Sequence, residues 1–295
     1  MIINMRKKNQ THQRNTREAY IFITPLIIGT AVFFLFPLCF SIFISLGEYE
    51  LKQGGNIYTF FGFKNYTDAF LLDKDFTPNF LAVVKDSFLN IPLVVVFSLI
   101  IAILLNKKFR GKGFFRTLFF LPFLLGTGYV MRQLLGMDVG QDAMNMARGI
   151  ILPAEVQQYL GSFISGLADG FLSRITMVFW KSGVPIILFL SGLQSINKSL
   201  YESASVDGAT EWEMMWKITI PMISQVTLLV TVYTVIESFS DPSNPMVDFF
   251  YNLAFKEQRF SYSAALSWIY FVFILLLVGL IFFVSRFVTY SERDA

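Results

Sequence analysis

Long uncharged, apolar blocks dominate this chain, and charge gathers in the stretches between them. The blocks run Ala19–Gly47, Ser87–Asn106, Thr117–Met131, Ile175–Asn197, Ile218–Ile236 and Phe260–Ser285, and Lys181 is the single charge inside any of them. A helix needs about 20 apolar residues to cross a hydrocarbon core ~30 Å thick. The pattern therefore predicts an all-α integral membrane protein with six transmembrane helices. The third block is short, but Arg116 and Arg132 at its ends can snorkel outwards and extend it. The implied organisation is a tail at 1–18, a first helix at 19–47, an outer loop at 48–86, a core of five helices at 87–286 and a tail at 287–295.

Composition narrows the class. The chain has 295 residues, of which 54% are apolar and 15% charged, with a mean hydropathy of +0.55. So few charges beside 34 Phe point to lipid as the solvent. Cys39 is the only cysteine and His12 the only histidine, which rules out zinc clusters, Cys–His nucleophiles and internal disulfides. No G-x-x-x-x-G-K-[ST] segment occurs, so nucleotide hydrolysis is not expected in this chain. No cofactor or metal is expected. The first block is too long for a secretory signal, whose apolar region has about 7–15 residues.

Basic residues set the orientation. With the N-terminus inside, the inner segments hold fourteen Lys and Arg and the longer outer ones nine. Lys107, Lys108, Arg110, Lys112 and Arg116 share one short acid-free loop. Both termini are thus expected in the cytoplasm, and the basic runs reflect topology and anionic lipid rather than nucleic acid. In an outer segment, Val156, Tyr159, Leu160, Phe163, Ile164, Leu167 and Phe171 recur at helical spacing after Pro153, which predicts an amphipathic surface helix.

One loop carries more than topology. Between the fourth and fifth blocks, Ser199 with Glu202 and Thr210 with Glu213 each place a hydroxyl three residues before a carboxylate, the spacing of a capping box. Asp207-Gly208 between them is a turn signal, and glycine accepts the positive φ that ends a helix. Pro221 suits the start of the next helix. The loop should read helix, turn, helix, with a small-residue stretch at Ser203, Ala204 and Ser205. As a bare pattern it could be a docking surface or a connector.

The stretch Tyr201-Glu202-Ser203-Ala204, Asp207-Gly208-Ala209, Trp212 and Trp216 through Pro221 closely resembles the EAA loop of ABC importer permeases, in particular the carbohydrate-type branch. Phe61–Tyr66, Leu190–Ile196 and Ser261–Ser267 are similar to further passages of that branch, so the likeness runs from about residue 20 to 285. Three departures stand out: Ser203 at the second EAA position, Asn197 where the branch usually has Pro, and Asp241-Pro242-Ser243-Asn244-Pro245 in place of a Gly-rich outer stretch.

The resemblance implies a type I ABC importer permease fold in the bacterial inner membrane. It implies a non-catalytic subunit that pairs with a second permease, sits on two ATP-binding subunits and receives a sugar or oligosaccharide from an extracytoplasmic solute-binding protein. Glu202, Ser203, Ala204, Asp207, Gly208, Ala209 and Pro221 match the motif and are its implied coupling element. A non-sugar cargo is the alternative. A six-span enzyme or receptor is a further one, although no acid–base pair or nucleophile stands inside the blocks.

Along the pathway, an intramembrane charge is by default a functional residue. Lys181 can snorkel, pair with Glu237, or meet substrate. Trp180 beside it can stack on a sugar ring or anchor at the interface.

Overall fold

In the computed structural model, residues 20, 22–52, 55–107, 111, 113–119, 170–171, 174–241 and 244–288 are described. The chain divides into two compact units, each built from two stretches: residues 1–78 with 248–272, and 79–247 with 273–295.

In the first unit, helix α1 (Phe22–Ser45) is long and apolar enough to cross a membrane, and none of its most apolar window is buried. It widens into a π-turn at Ala31–Leu35, where Phe36 N–H reaches back to Ala31 O. Pro37 follows at once; it has no N–H to donate, and the wider turn accommodates its ring. After α1 comes a hairpin of β1 (Gly47–Lys52) and β2 (Gly55–Phe60), antiparallel, with Tyr49 opposite Tyr58. This segment was expected only as a loop. Its sequence signal was Gly54-Gly55 between β-prone stretches.

Helix α2 (Lys64–Leu71) then stitches the loop to α1. Asn65 Nδ2 donates to Ser45 O at 3.0 Å and Gly47 O at 2.8 Å, and Tyr66 OH lies 2.8 Å from Ser45 Oγ. The Phe61–Tyr66 passage is thus a seam around the end of α1. Half-buried Asp73 caps the next helix: its Oδ1 accepts from Asp75 and Phe76 N–H, both at 2.9 Å, and its Oδ2 accepts from Tyr262 OH at 2.7 Å. Arg259 lies 4.5 Å over the Tyr262 ring. Burial pushes the Asp73 carboxyl up, but Tyr262, the two backbone donors and Arg259 together hold it below its ordinary value of 3.8.

The next helix, α3 (Phe76–Asn106), begins well before the expected Ser87, because Asp73 caps it and Lys85 and Asp86 are tolerated near its end. In the second unit the expected fourth span is two helices, α4 (Arg174–Lys181) and α5 (Gly183–Ser195), bent by 53° at Ser182. Pro185 explains the break: it cannot donate to Lys181 O, and its ring crowds that carbonyl. At the break Ser182 N–H turns to Phe179 O at 3.3 Å, and Ser182 Oγ donates to the Val178 O that this leaves behind.

The fifth span is likewise broken, into α7 (Glu211–Met222) and α8 (Ser224–Ser240), bent by 67°. Here a π-turn at Met215–Thr219 precedes Pro221, the same pairing of π-turn and proline as in α1. Helix α6 (Lys198–Val206) lies between α5 and α7. After α8 come α9 (Pro245–Tyr251), a π-turn at Asn252–Lys256, and α10 (Phe260–Val288).

The core of the second unit joins α3, α5 and α8 through Ala102, Leu105, Ile186, Phe189, Leu190, Leu193 and Val230. Gly192 lets α5 approach α8, since a Cβ there would sit 2.7 Å from a Val226 methyl. That accounts physically for the glycine in the Leu190–Ile196 passage. Among the described residues, three helices are long and apolar enough to span a membrane, and five spans result if each bent pair counts as one. The third expected span lies outside the described residues beyond position 119, as does the expected amphipathic helix up to position 169.

Candidate functional site

Two places in the second unit concentrate chemistry: the loop between the bent spans, and a cavity at the far end of α4 and α8.

The loop is stitched by local hydrogen bonds. Helix α6 starts at Asn197, whose side chain accepts from Ser199 N–H at 3.1 Å. The cap expected from Ser199 and Glu202 is therefore one of the readings the structure corrects. Asn197 precedes Ser199 and reaches the N–H two residues on, so Glu202 stays exposed and outside the cap. The departure from Pro at 197 thereby gains a role, because proline has no side-chain acceptor.

Helix α6 ends in a Schellman motif, with Gly208 N–H on Ser205 O at 3.2 Å and Ala209 N–H on Ala204 O at 2.9 Å. Gly208 has the expected positive φ of 81°. The second capping box forms as expected: Thr210 Oγ1 accepts from Glu213 N–H at 3.3 Å, and Glu213 Oε2 accepts from Thr210 N–H at 3.0 Å. These bonds from Thr210, with Lys217 nearby, hold the Glu213 carboxyl below its ordinary value. Tyr201 OH meets Thr219 Oγ1 at 2.9 Å and ties α6 to α7. The result is a stiff bracket whose outer surface shows Glu202, Ser203, Val206, Trp212 and Trp216, the last two packed edge to face at 5.7 Å.

The cavity has a volume of about 460 Å³ and is walled by α3, α4 and the end of α8. Trp180 and Lys181 both line it, as do Asp86, Asn90, Arg174 and Asp241. Lys181, 8% exposed, pairs with Asp241 at 2.8 Å and not with Glu237. The expected Lys181–Glu237 pair is thus corrected: Asp241 lies one turn further along, where α8 ends and the chain is free to turn its carboxylate towards Lys181. Glu237 is not among the cavity-lining residues, and its Oε2 is buried with no partner among the described residues. Arg174 meets Asp86 at 3.3 Å, and Asn90 Nδ2 donates to Asp86 Oδ2 at 2.7 Å.

Asp86, Asn90 and Arg174 were missed because they fell outside or at the edge of uncharged runs. The available signal was the i, i+4 spacing of Asp86 and Asn90. Asp241 was visible only as part of a departure from the family pattern.

Residues 71–295 match the family of binding-protein-dependent transport system inner membrane components. The chain belongs to this family. It is 32% identical over 276 residues to the multiple sugar-binding transport system permease protein of Streptococcus mutans, covering 85% of this chain and 89% of that one. It is 28% identical over 294 residues to the lactose transport system permease protein of Rhizobium radiobacter, covering 91% and 94%. A crystal structure of a bacterial ABC transporter involved in the import of the acidic polysaccharide alginate matches with a TM-score of 0.67 at 20% identity, over 96% of this chain and 100% of that one. The fold is that of a type I ABC importer permease. The resemblance read from the EAA loop is borne out, and the chain is a multi-pass membrane component of a transport system.

Proposed function

We propose that this chain is one of two permease subunits of an ATP-driven importer in the bacterial inner membrane. Its termini are cytoplasmic, and its cargo is a sugar or oligosaccharide delivered by an extracytoplasmic solute-binding protein. It performs no bond chemistry of its own; two ATP-binding subunits dock on the loop at 199–217. The sugar cargo is supported by the relatives named for lactose and multiple sugars. The cavity beside Trp180 and Lys181 belongs to the solute pathway in this reading.

The observation that carries the coupling role is the doubly capped loop. A loop that only joined two spans needs no stiffness. A loop that transmits force does, and it must be rigidly attached to the spans it moves. Here the attachment is Tyr201 to Thr219, and the bend at Ile223 gives the moved segment a joint. ATP acts only through contacts that differ between the two states of the assembly.

Gly208→Val tests this. A β-branched residue is strained at positive φ and would redirect α7. The variant complex should reach the membrane yet lose substrate-stimulated ATP hydrolysis, and Glu202→Ala should weaken that stimulation through the lost surface contact. Normal stimulation in both would reduce the loop to a connector. Cysteines placed at 199–217 should react with an impermeant label only after the membrane is opened; labelling from outside would overturn the topology.

A further inference from the structure

We infer that helix α2 lies in the headgroup layer of the membrane at the Ser45 end of α1, with Phe63, Phe70, Leu71 and Leu72 turned into the acyl chains. The partner of this face is phospholipid. The inference depends on α1 spanning the bilayer, and the cargo and coupling readings stand or fall apart from it.

Depth is set by α1. Its 24 residues run about 36 Å at 1.5 Å per residue, against a hydrocarbon core of ~30 Å. Ser45, the last of them, therefore stands at the boundary between acyl chains and headgroups. The segment that follows is tied to that level. Asn65 Nδ2 donates to Ser45 O and Gly47 O, and Tyr66 OH lies 2.8 Å from Ser45 Oγ. Tyr58 OH donates to Phe43 O at 2.8 Å, and its ring stacks on that of Phe43 at 4.4 Å. Phe43 is in the last turn of α1 and is itself exposed. The stretch from Tyr58 to Leu71 is thus folded back onto the end of the span and does not stand off above it.

The polarity of α2 is inverted. A surface helix in water turns its apolar stripe to the protein and its polar residues outwards. Here the covered residues are Asn65, Tyr66 and Ala69. The uncovered ones include Phe63, Phe70, Leu71 and Leu72, which are 71%, 56%, 81% and 70% exposed. A single exposed leucine needs no explanation, but four large apolar side chains around one short helix do. Their continuity with the uncovered surface of α1 assigns them to lipid rather than to a soluble partner. Lys64 stays at the rim, with its ammonium 5.3 Å over the Phe61 ring. From there its stem covers apolar surface while the charge reaches headgroup phosphate. Through Asn65 and Tyr66 the helix then holds the end of α1 at a fixed depth.

The test uses the complete complex in nanodiscs of phosphatidylethanolamine and phosphatidylglycerol. Cys39, the only cysteine, is replaced (Cys39→Ser), and a nitroxide label is attached at Leu71→Cys. Asp75→Cys, an exposed position in the turn before α3, supplies the polar comparison. Collisions with oxygen, which concentrates among acyl chains, are compared with collisions with a neutral nickel chelate, which stays in water.

The label at 71 should favour oxygen and report a depth of about 5–10 Å below the headgroup surface, as for an interfacial helix. The label at 75 should favour the chelate. If the Leu71→Cys complex does not assemble, Phe63→Cys at the other end of α2 is read in its place. A label that favours the chelate shows the face in water and overturns the inference. A label that neither reagent reaches shows a protein covering the face, either the second permease or the binding protein, and overturns it equally.

Discussion

Lys107 reaches Glu211 over 2.9 Å at the loop, and Lys181 reaches Asp241 over 2.8 Å at the cavity. The geometry is nearly the same, and the surroundings are not. The loop pair is 61% and 83% exposed, the cavity pair 8% and 16%. Water and ions screen the first and leave it little net worth, whereas the second has already lost its hydration and depends on its partner. The same contrast runs through both regions. The loop is an exposed bracket made by residues close in sequence, while the cavity wall is made by side chains drawn from α3, α4 and α8. A length alone therefore says nothing about what a pair contributes; burial decides it.

The largest effect that tests this contrast comes from Lys181→Met. It leaves Asp241 in a poorly hydrated wall, where removing one partner costs about 3–5 kcal/mol. The variant should denature markedly earlier in a detergent thermal-stability assay. Lys181→Met combined with Asp241→Asn removes both charges and should recover most of the loss. Additive losses in that cycle would show that the two side chains do not act as a pair. Using Glu237→Gln as the second change should recover little, since Glu237 does not hold the lysine.

A smaller effect belongs to the loop's own bonding. Thr210→Ala removes the acceptor for Glu213 N–H, and an N-cap is worth about 0.5–2 kcal/mol. That is too little to unfold the bundle. Hydrogen exchange at the start of α7 should rise while the melting temperature of the whole complex hardly moves. Unchanged exchange would mean that the contacts of α7 hold it without its cap.

What could be read from the sequence follows the same division. The Thr210–Glu213 box and the positive φ of Gly208 depend on a few neighbouring residues, and both were legible, whereas Pro221, expected at the start of the next helix, stands in the last turn of α7. The Asn197 cap was missed through a competing local pattern, since Ser199 and Glu202 had the right spacing. The cavity was a different matter. Lys181 was conspicuous as a lone charge, but its partner could not be chosen from spacing, because Glu237 and Asp241 are four residues apart, the first in the last turn of α8 and the second just past its end. The bends at Ser182 and Ile223 had visible prolines, yet a proline does not announce whether its helix kinks or ends. The β1–β2 hairpin lies outside the uncharged runs, and its signal is the alternation of Glu48, Glu50 and Lys52 with Tyr49 and Leu51.

Asp73 sits between the two extremes, half-buried and acidic, and its effect depends on pH. Its carboxyl is held below the ordinary value of 3.8 in the fold. A depressed pKa means the stabilisation is fully present above the unfolded value and is lost as pH falls through the folded one. The tie from Asp73 to Tyr262 and to the start of α3 should therefore persist at pH 5 and above and weaken below about pH 4. Asp73→Asn should flatten that acid limb of the stability curve. An unaltered limb would assign the acid sensitivity to other carboxylates.

The smallest effect sharpens the comparison most. Lys107→Met breaks an ion pair as short as the one at Lys181, so a rule based on distance would predict an equal loss. Exposed pairs instead contribute about 0–1 kcal/mol, and the Debye length of about 8 Å at 0.15 M salt screens what remains. Glu211 stands in the first turn of α7, where a carboxylate is favourable to the helix dipole with or without Lys107. The variant should thus melt within a degree or two of wild type at 0.15 M salt, and whatever difference exists should shrink further at 1 M. A loss comparable to that of Lys181→Met, insensitive to salt, would mean that a partner subunit or lipid buries the Lys107–Glu211 pair in the assembled complex. The contrast between the two regions would then hold only for the isolated chain.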